Sequence, residues 1–340
     1  MLRCSFLLLM SAAALAQPAA RDAARPNWVA PGLPGSEIDG ATFHAQLLMS
    51  QAGFSTGVID GKPGMVMRKA IAGFQLSRGL EVTSKLDGPT RAALLTMDKP
   101  STVRVKLTGD DISGDYVYPF PKKPEAQAKL TRMGYRNMIE EVAERYHTTP
   151  ATLIALNGPQ ALIGIGQVLR VPNVIPSARD YKGKLKDEYR ALLSHLNVDS
   201  NEPDGDYVVV DKSEGVLKVF DKGDRLIAQF PVTMGSSHDP LPLGTWKATT
   251  YAFLPPFHYQ PDLFWDVDDG KSEQRLPPGP NGPVGVAWLD LTKEHYGIHG
   301  TPEPQTIGRT ESHGCIRMTN WDVLRLTQMM KPGFRAVFQA

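Results

Sequence analysis

This chain of 340 residues has almost no excess of positive over negative charge, few long apolar runs and only two cysteines. The formal net charge is +1, so the charge balance gives no argument for nucleic-acid binding, which depends on a basic face. Beyond the first residues no apolar run approaches the roughly 20 residues of a membrane helix, so we expect a protein that is released and not anchored. With 41% hydrophobic and 21% charged residues, the composition is otherwise typical of globular domains.

The N-terminus has the pattern of a secretory signal peptide. Arg3 precedes an apolar run over residues 6–15 that is too short to span a bilayer, and Ala14-Leu15-Ala16 has the small-x-small form of a cleavage site. We therefore expect removal of residues 1–16 and export to a periplasm. A monoderm wall as the destination and a buried N-terminal helix are the alternatives.

Removal of the signal would take away Cys4 and leave Cys315 as the single cysteine. A lone thiol in an oxidising compartment is a candidate reactive group, and an inert buried thiol is the alternative. A cysteine nucleophile reacts as the thiolate, whose ordinary pKa is about 8.5, so it needs a base or a positive neighbour. His299 and His313 both precede Cys315 closely, and we therefore expect an ionised thiol beside an imidazole.

The backbone around Cys315 suits acyl chemistry. Residues two apart on a strand share a face, which places His313 and Cys315 together. Gly314 lets a substrate approach, and the amides of Gly314, Cys315 and Ile316 are candidates to hold an oxyanion. A zinc site made by His299, His313 and Cys315 lacks an obvious fourth ligand. A buried structural pair without catalysis is a further alternative.

The length predicts two or three domains of about 100–150 residues. Residues 37–99 combine helical spacing with Asp-Gly turns at Asp60 and Asp87. This order resembles the small three-helix peptidoglycan-binding domain, whose pattern is matched at Gly53, Phe74, Gln75 and Gly79. A helical spacer is the alternative interpretation.

Residues 115–173 have a helix–helix–strand pattern. Thr149-Pro150 predicts a helix start, and residues 166–172 predict a strand closed by proline. The run resembles a small α+β LysM module, which implies binding to glycans that contain N-acetylglucosamine; a structural unit without glycan binding is the alternative. We interpret residues 174–205 as a linker with a short helix over 188–196.

Residues 206–340 contain short apolar or alternating segments between glycine and proline turns, which predicts a mostly-β sandwich or barrel. We expect strands over 207–210, 216–220, 226–230, 244–253, 284–289 and 334–338, and one helix over 320–330 capped by Asn320. Residues 254–283 form a long proline-rich loop, and loops of this length are commonly functional. His258 and Tyr259 in this loop are candidates to line a substrate groove, with lid packing as the alternative.

The segment from His299-Gly300 to Ser312-His313-Gly314-Cys315-x-Arg317-x-x-Asn320 resembles the signature of the YkuD-type L,D-transpeptidases. Pro242-Leu243-Gly244 also fits that family, and the resemblance covers roughly the last 135 residues. It implies that Cys315 is the nucleophile, His299 the general acid/base and His313 a supporting residue, with the histidine roles exchangeable. The implied oxyanion and supporting residues are Gly314, Ser312, Arg317, Asn320 and Gly300. Arg317 is either a carboxylate clamp or a brace for the loop.

The reaction that the resemblance implies is a two-step acyl transfer without a metal or an organic cofactor. Cys315 attacks the carbonyl before the terminal D-alanine of a peptidoglycan stem peptide, and an amine resolves the thioester. The acceptor is normally a diaminopimelate side chain; water would give a carboxypeptidase, and a lysine of a lipoprotein or outer-membrane protein would give a wall anchor. Carbapenems are implied covalent inhibitors. A wall-binding adaptor with an inactive catalytic domain and a cysteine peptidase acting on ordinary peptides remain open.

Overall fold

The computed structural model describes residues 36–112, 114, 116–236, 238–261, 272–310 and 314–340. The signal peptide expected at residues 1–16 lies outside these ranges, as do Ser312 and His313. Within the described part of the chain, no helix combines the length and the apolar character needed to cross a membrane.

Three short helices form the N-terminal domain: α1 (Gly40–Gln51), α2 (Met65–Ser77) and α3 (Gly88–Leu95). Asp87 of the second Asp-Gly turn caps α3, and its carboxylate accepts a hydrogen bond from the Thr90 amide at 3.0 Å. Gln75 is fully buried in α2 and donates to Thr90 Oγ1 at 2.8 Å, which ties α2 to α3. The prediction of a small helical domain is therefore confirmed.

The second unit is a two-stranded antiparallel sheet covered by helices. Its elements are β1 (Thr102–Lys106), α4 (Pro124–Gln127), α5 (Met138–Arg145), α6 (Pro150–Asn157) and β2 (Val168–Pro172). The strands pair along their full length, from Thr102 with Pro172 to Lys106 with Val168. Thr149 caps α6 as predicted, accepting from the Thr152 amide at 3.2 Å. We call this unit, residues 102–172, the βααβ unit; its first strand lies ahead of residue 115, where the sequence pattern first becomes clear.

The segment expected as a linker contains α7 (Asp187–His195) and does more than join domains. Leu193, Leu196 and Val198 have no exposed surface and pack into the hydrophobic core of the C-terminal domain. Residues 174–205 therefore contribute to the folding of that domain.

The C-terminal domain is built on a nine-stranded mixed sheet with a small hairpin, β8–β9, beside it. The strands are β3 (Tyr207–Asp211), β4 (Val216–Phe220), β5 (Leu226–Pro231), β6 (Thr233–Met234), β7 (Gly244–Phe253), β8 (Phe257–Tyr259), β9 (Gln274–Leu276), β10 (Ala287–Leu291), β11 (Gly297–His299), β12 (Ile316–Arg317) and β13 (Arg335–Gln339). The order in the sheet is β5-β4-β3-β13-β7-β10-β11-β12-β6. The two edge strands follow one another in the chain, so the sheet curls into a near-barrel. The mostly-β prediction is confirmed.

One helix, α8 (Asn320–Met329), lies between this sheet and the N-terminal units and is buried along almost its whole length. Its N-cap is Thr319, whose hydroxyl accepts from the Asp322 amide at 3.1 Å. The prediction that Asn320 caps the helix is therefore wrong: Asn320 is the first helical residue, and its side chain bonds to other parts of the protein.

Buried polar contacts join the units around α8 and along β5. Ser55 of the N-terminal domain donates to Asp322 Oδ2 at 2.7 Å, and the His147 ring stacks on Trp321 with centroids 5.0 Å apart. The Ser55 amide also donates to the Gln229 carbonyl of β5 at 2.9 Å. The N-terminal domain thus covers one edge of the sheet, which would otherwise present unpaired backbone groups.

Candidate active site

The candidate active site lies where two short strands of the sheet run parallel. β11 ends at His299, and β12 begins directly after Cys315, with His299 paired opposite Arg317. Alternate residues of a strand share a face, so Cys315, Arg317 and His299 lie on the same face of the sheet. The pairing register therefore brings together residues that are well separated in the sequence.

His299 is buried, with 4% of its surface exposed, and two contacts fix its orientation. Its Nδ1 lies 2.7 Å from the Gly300 carbonyl oxygen, and its ring stacks on Trp288 with centroids 5.4 Å apart. Because a carbonyl oxygen only accepts, Nδ1 carries the proton and Nε2 of the neutral ring has the lone pair. Burial, and then the positive charge of Arg317, lowers the pKa of His299 to about 3, so the resting ring is neutral near pH 7.

Cys315 is half-buried, and its sulfur lies against the turn that precedes β11. The Sγ atom is 3.6 Å from the His295 carbonyl oxygen, and the Gly297 amide donates to the sulfur. Burial raises the pKa of the Cys315 thiol, and the Gly297 amide and Arg317 oppose this only in part. Among the described groups the resting thiol is therefore protonated, whereas the sequence led us to expect a thiolate. Burial, which local sequence does not reveal, accounts for the difference.

Arg317 supplies a positive charge to this face of the sheet. Burial lowers the pKa of Arg317, while the charges of Cys315 and Glu303 act in the opposite direction. Its Nε is buried and has no hydrogen-bond partner in the part of the chain that the structure describes. An unsatisfied guanidinium donor costs free energy, and it is suited to bind an anionic ligand.

Position 314 requires glycine, because of its backbone conformation and because of the side chain that lies next to it. Its φ is +98°, a region that residues with side chains rarely adopt, and a Cβ there would lie 2.7 Å from Tyr296 Cε1. A side chain at position 314 would therefore displace the segment that carries Cys315.

Two orienting residues, Gly297 and Trp288, were not among the candidate residues identified from the sequence. A Cβ at Gly297 would collide with the Trp288 indole, which stacks on His299 and donates from Nε1 to Asp290 at 3.1 Å. The missing side chain at Gly297 thus makes room for the ring that orients His299. A glycine two residues before a histidine on one strand face is the signal that could have identified it.

The other candidate residues lie in two places, beside His299 and on strand β8. Asn320 accepts from the Val286 amide at 3.1 Å, and a Cβ at Gly300 would collide with its Oδ1, so both lie in the wall beside His299. His258 and Tyr259 lie on β8, where His258 Nε2 is 2.9 Å from Glu273 on an exposed surface. Across the described ranges, no three His, Cys, Asp or Glu side chains form a group able to hold a metal ion.

A cysteine and an oriented neutral histidine on adjoining strands are the kind of arrangement that acyl-transfer enzymes with a cysteine nucleophile use. Residues 205–338 match the family described as the L,D-transpeptidase catalytic domain, and residues 42–94 match the family described as "Putative peptidoglycan binding domain". The chain therefore contains an L,D-transpeptidase catalytic domain, preceded in the sequence by a peptidoglycan-binding domain.

Curated relatives agree with this assignment. "Putative L,D-transpeptidase YkuD" of Bacillus licheniformis is 27% identical over 58% of this chain and 90% of that protein. "Putative L,D-transpeptidase YqjB" of Bacillus subtilis is 28% identical over 40% of this chain and 72% of that protein. Among solved structures, an L,D-transpeptidase from Mycobacterium smegmatis is 20% identical over 40% of this chain and 59% of that chain, with a TM-score of 0.32.

Proposed function

We propose that Cys315 is the nucleophile and His299 the general base of acyl transfer on peptidoglycan stem peptides. The observation that carries this proposal is the 2.7 Å contact between His299 Nδ1 and the Gly300 carbonyl, which leaves the Nε2 lone pair available. His299 and Cys315 share one face of the sheet, so Nε2 is the nitrogen suited to take the thiol proton. Both groups are neutral at rest, which makes proton transfer part of the attack.

In the first half-reaction, Cys315 Sγ attacks the carbonyl carbon that precedes the terminal D-alanine, and His299 takes the thiol proton. The carbonyl electrons move to its oxygen and give a tetrahedral oxyanion. Collapse of this intermediate re-forms the carbonyl and breaks the bond to the D-alanine nitrogen, which accepts the proton from His299. The products are D-alanine and a thioester on Cys315.

In the second half-reaction an acceptor amine attacks the thioester carbonyl and gives its proton to His299. The new amide forms as the thiolate leaves, and Cys315 then regains the proton. The proposed acceptor is the diaminopimelate side chain of another stem, which forms a cross-link. Water would trim the stem, and a lysine of a lipoprotein or an outer-membrane protein would be attached to the wall.

The remaining site residues have supporting roles in the same proposal. We assign the amides of Gly314 and Cys315 to the oxyanion hole, where donors fixed in advance stabilise developing charge. Arg317, with its unpaired Nε, is suited to bind a stem carboxylate. By the family signature, Ser312, His313, Gly300 and Asn320 are supporting residues, and His258 and Tyr259 are proposed to contact the substrate. Carbapenems, as reactive acyl donors, acylate Cys315.

The βααβ unit is proposed to be a LysM-like module that binds wall glycan. Its two longer helices, α5 and α6, lie between the paired strands in the chain, and Asn157 at the end of α6 accepts from the Arg170 amide of β2 at 2.7 Å, which joins helix and sheet. Together with the N-terminal domain it would hold the enzyme on peptidoglycan after export to the periplasm.

Mass spectrometry of muropeptides incubated with the mature chain tests the proposed function. We expect wild type to form dimers, Cys315→Ala to form none, and His299→Ala to be about 10²- to 10⁴-fold slower, as is typical for loss of a general base. Trimmed monomers in place of dimers would identify a carboxypeptidase. Muropeptide binding without any turnover would indicate an adaptor, and cleavage of ordinary peptides would indicate a peptidase.

A further inference from the structure

The first side chain of α8 is bound from another unit of the protein. Asn320 donates through Nδ2 to Glu144 Oε1 at 2.5 Å and to the Pro280 carbonyl at 3.2 Å. Glu144 belongs to α5 of the βααβ unit. Both side chains are withdrawn from water, with Asn320 0% and Glu144 7% exposed. The Asn320 amide of the catalytic domain thus donates to a carboxyl group that belongs to a neighbouring unit.

Asn320 in turn fixes the backbone next to His299. Its Oδ1 accepts from the Val286 amide at 3.1 Å, and a Cβ at either Gly285 or Gly300 would collide with this oxygen. Gly300 is the residue whose carbonyl oxygen lies 2.7 Å from His299 Nδ1. A continuous set of contacts therefore runs from Glu144 through Asn320 and Gly300 to His299.

Burial of the Glu144 carboxyl group at this position costs free energy. Burial raises its pKa to about 8; the hydrogen bonds from Asn320 and Tyr135 oppose this shift, and the charges of Glu140 and Glu141 add to it. Near pH 7 the group is mainly a neutral carboxylic acid that accepts from Asn320. A buried polar group without a hydrogen-bond partner is costly, so the bond to Asn320 is what makes a carboxyl suitable here.

We propose that Glu144 is a positioning residue of the active site: by fixing the Asn320 amide, it sets the Gly300 backbone and so the orientation of His299 toward Cys315. This inference rests on the roles proposed above for Cys315 and His299. It gives the βααβ unit a part in catalysis in addition to any part in wall binding.

The test compares Glu144→Ala, Glu144→Gln and the control Glu141→Ala in the mature full-length chain. Glu141 is a matched control because it lies on the same helix and is 1% exposed, but it accepts from Tyr116 at 2.5 Å and pairs with His195 at 3.4 Å. Three quantities are measured: the rate of Cys315 acylation by a carbapenem, followed by intact-protein mass spectrometry; kcat and KM on muropeptides; and the melting temperature.

We expect Glu144→Ala to slow acylation and lower kcat about 10- to 100-fold with little change in KM, as displacement of a catalytic group by about 1 Å does. Glu144→Gln, which resembles the neutral acid and keeps an acceptor for Asn320, should restore a rate close to wild type. Glu141→Ala should lower the melting temperature and acylate at the wild-type rate where it is folded. Glu144→Asp, which is too short to bond Asn320, serves the same test if Glu144→Ala does not fold.

The proposal is overturned if folded Glu144→Ala or Glu144→Asp acylates at the wild-type rate, or if Glu141→Ala is slowed equally. It is also overturned if Glu144→Gln is as slow as Glu144→Ala. Wild type that is neither acylated nor active on muropeptides would instead overturn the proposed function, so the two failures are distinguishable.

Discussion

Two arginines of the C-terminal domain have opposite surroundings. Arg325 in α8 donates to Glu202 at 2.5 Å and to the Ser50 carbonyl at 3.0 Å. Burial would lower the pKa of Arg325, yet the Glu202 carboxylate raises it. Arg317 beside Cys315 instead has a pKa lowered by burial and an Nε without a partner in the described part of the chain.

This difference distinguishes a structural cation from a functional one. Nε and Nη2 of Arg325 donate to Glu202 and to the Ser50 carbonyl, while Nη1 lies 3.6 Å from Asp322 Oδ1 and has no hydrogen-bond partner among the described residues. Arg325 thus faces carboxylates that balance its charge, and removing Glu202 would leave a buried charge without its main partner. The Nε donor of Arg317, which has no partner among the described residues, lowers stability. Groups perturbed in this way are common at functional sites, where a ligand supplies the missing partner. We therefore expect loss of pairing at Arg325 to affect folding and loss of Arg317 to affect turnover.

The largest expected effect is on stability, through Glu202→Ala. This substitution removes the carboxylate that pairs with Arg325 while the guanidinium stays buried, so the free energy of unfolding should fall by about 3–5 kcal/mol. Denaturant unfolding measures this loss, and acylation of Cys315 should proceed at the wild-type rate where the variant is folded.

Two further variants test the cause of that loss. Glu202→Leu combined with Arg325→Met removes both charges and should recover most of the stability. Asp204→Ala breaks the exposed pair of Asp204 with Lys182, whose side chains are 71% and 60% exposed, and should cost at most about 1 kcal/mol. Equal losses for Glu202→Ala and Asp204→Ala would contradict the structural role of the buried pair.

The next effect is on activity, through Arg317→Met. Removal of a charged donor to a stem carboxylate should lower kcat/KM on muropeptides about 10- to 100-fold, because a hydrogen bond to a charged group contributes about 1.5–3 kcal/mol. The free energy of unfolding should change by less than about 1 kcal/mol, since no acceptor in the described ranges pairs with Nε.

Arg309→Met is the matched control, because Arg309 is an exposed arginine close by on the preceding loop and its loss should leave kcat/KM unchanged. Arg317→Lys separates charge from geometry, since lysine keeps the charge without the planar fork. A destabilised Arg317→Met with normal turnover when folded would show that Arg317 braces the loop.

The sequence predicted those elements whose characteristic residues lie within the element itself. The strands Val216–Phe220 and Gly244–Phe253 were placed at their observed bounds, and Thr149 was identified as a helix cap. The pairing of β1 with β2 and the packing of Leu193 into the C-terminal core could not be read this way, because both depend on partners far along the chain.

The candidate site shows the same division. The spacing of His299, Gly314 and Cys315 was enough to predict an acyl-transfer chemistry, because candidate catalytic residue types cluster in a short segment. The protonation of Cys315 was missed, since burial outweighs neighbouring charges and burial is a property of the fold. The contact of Asn320 with Glu144 was also missed: nothing in either local sequence indicates a partner 176 positions away.

The smallest expected effect concerns His147, which lies at the same interface as Arg325. Burial, with the charge of Arg325 as a further cause, lowers the pKa of His147 to about 3, whereas the ordinary value is 6.5. Between these values the unfolded chain binds a proton that the folded chain does not, so stability falls as the pH falls. For one such group the loss from pH 6.5 to pH 5.5 is about 1 kcal/mol.

His147→Asn removes this titration, and asparagine tolerates the φ of 55° at this position. The difference in unfolding free energy between wild type and the variant should therefore shrink by about 1 kcal/mol between pH 6.5 and pH 5.5, as measured by denaturant unfolding at both values. A difference that does not change with pH would mean that the folded protein accepts a second cation next to Arg325. The electrostatic contrast between Arg325, whose charge is balanced by protein carboxylates, and Arg317, whose Nε is proposed to bind a ligand, would then lose its support.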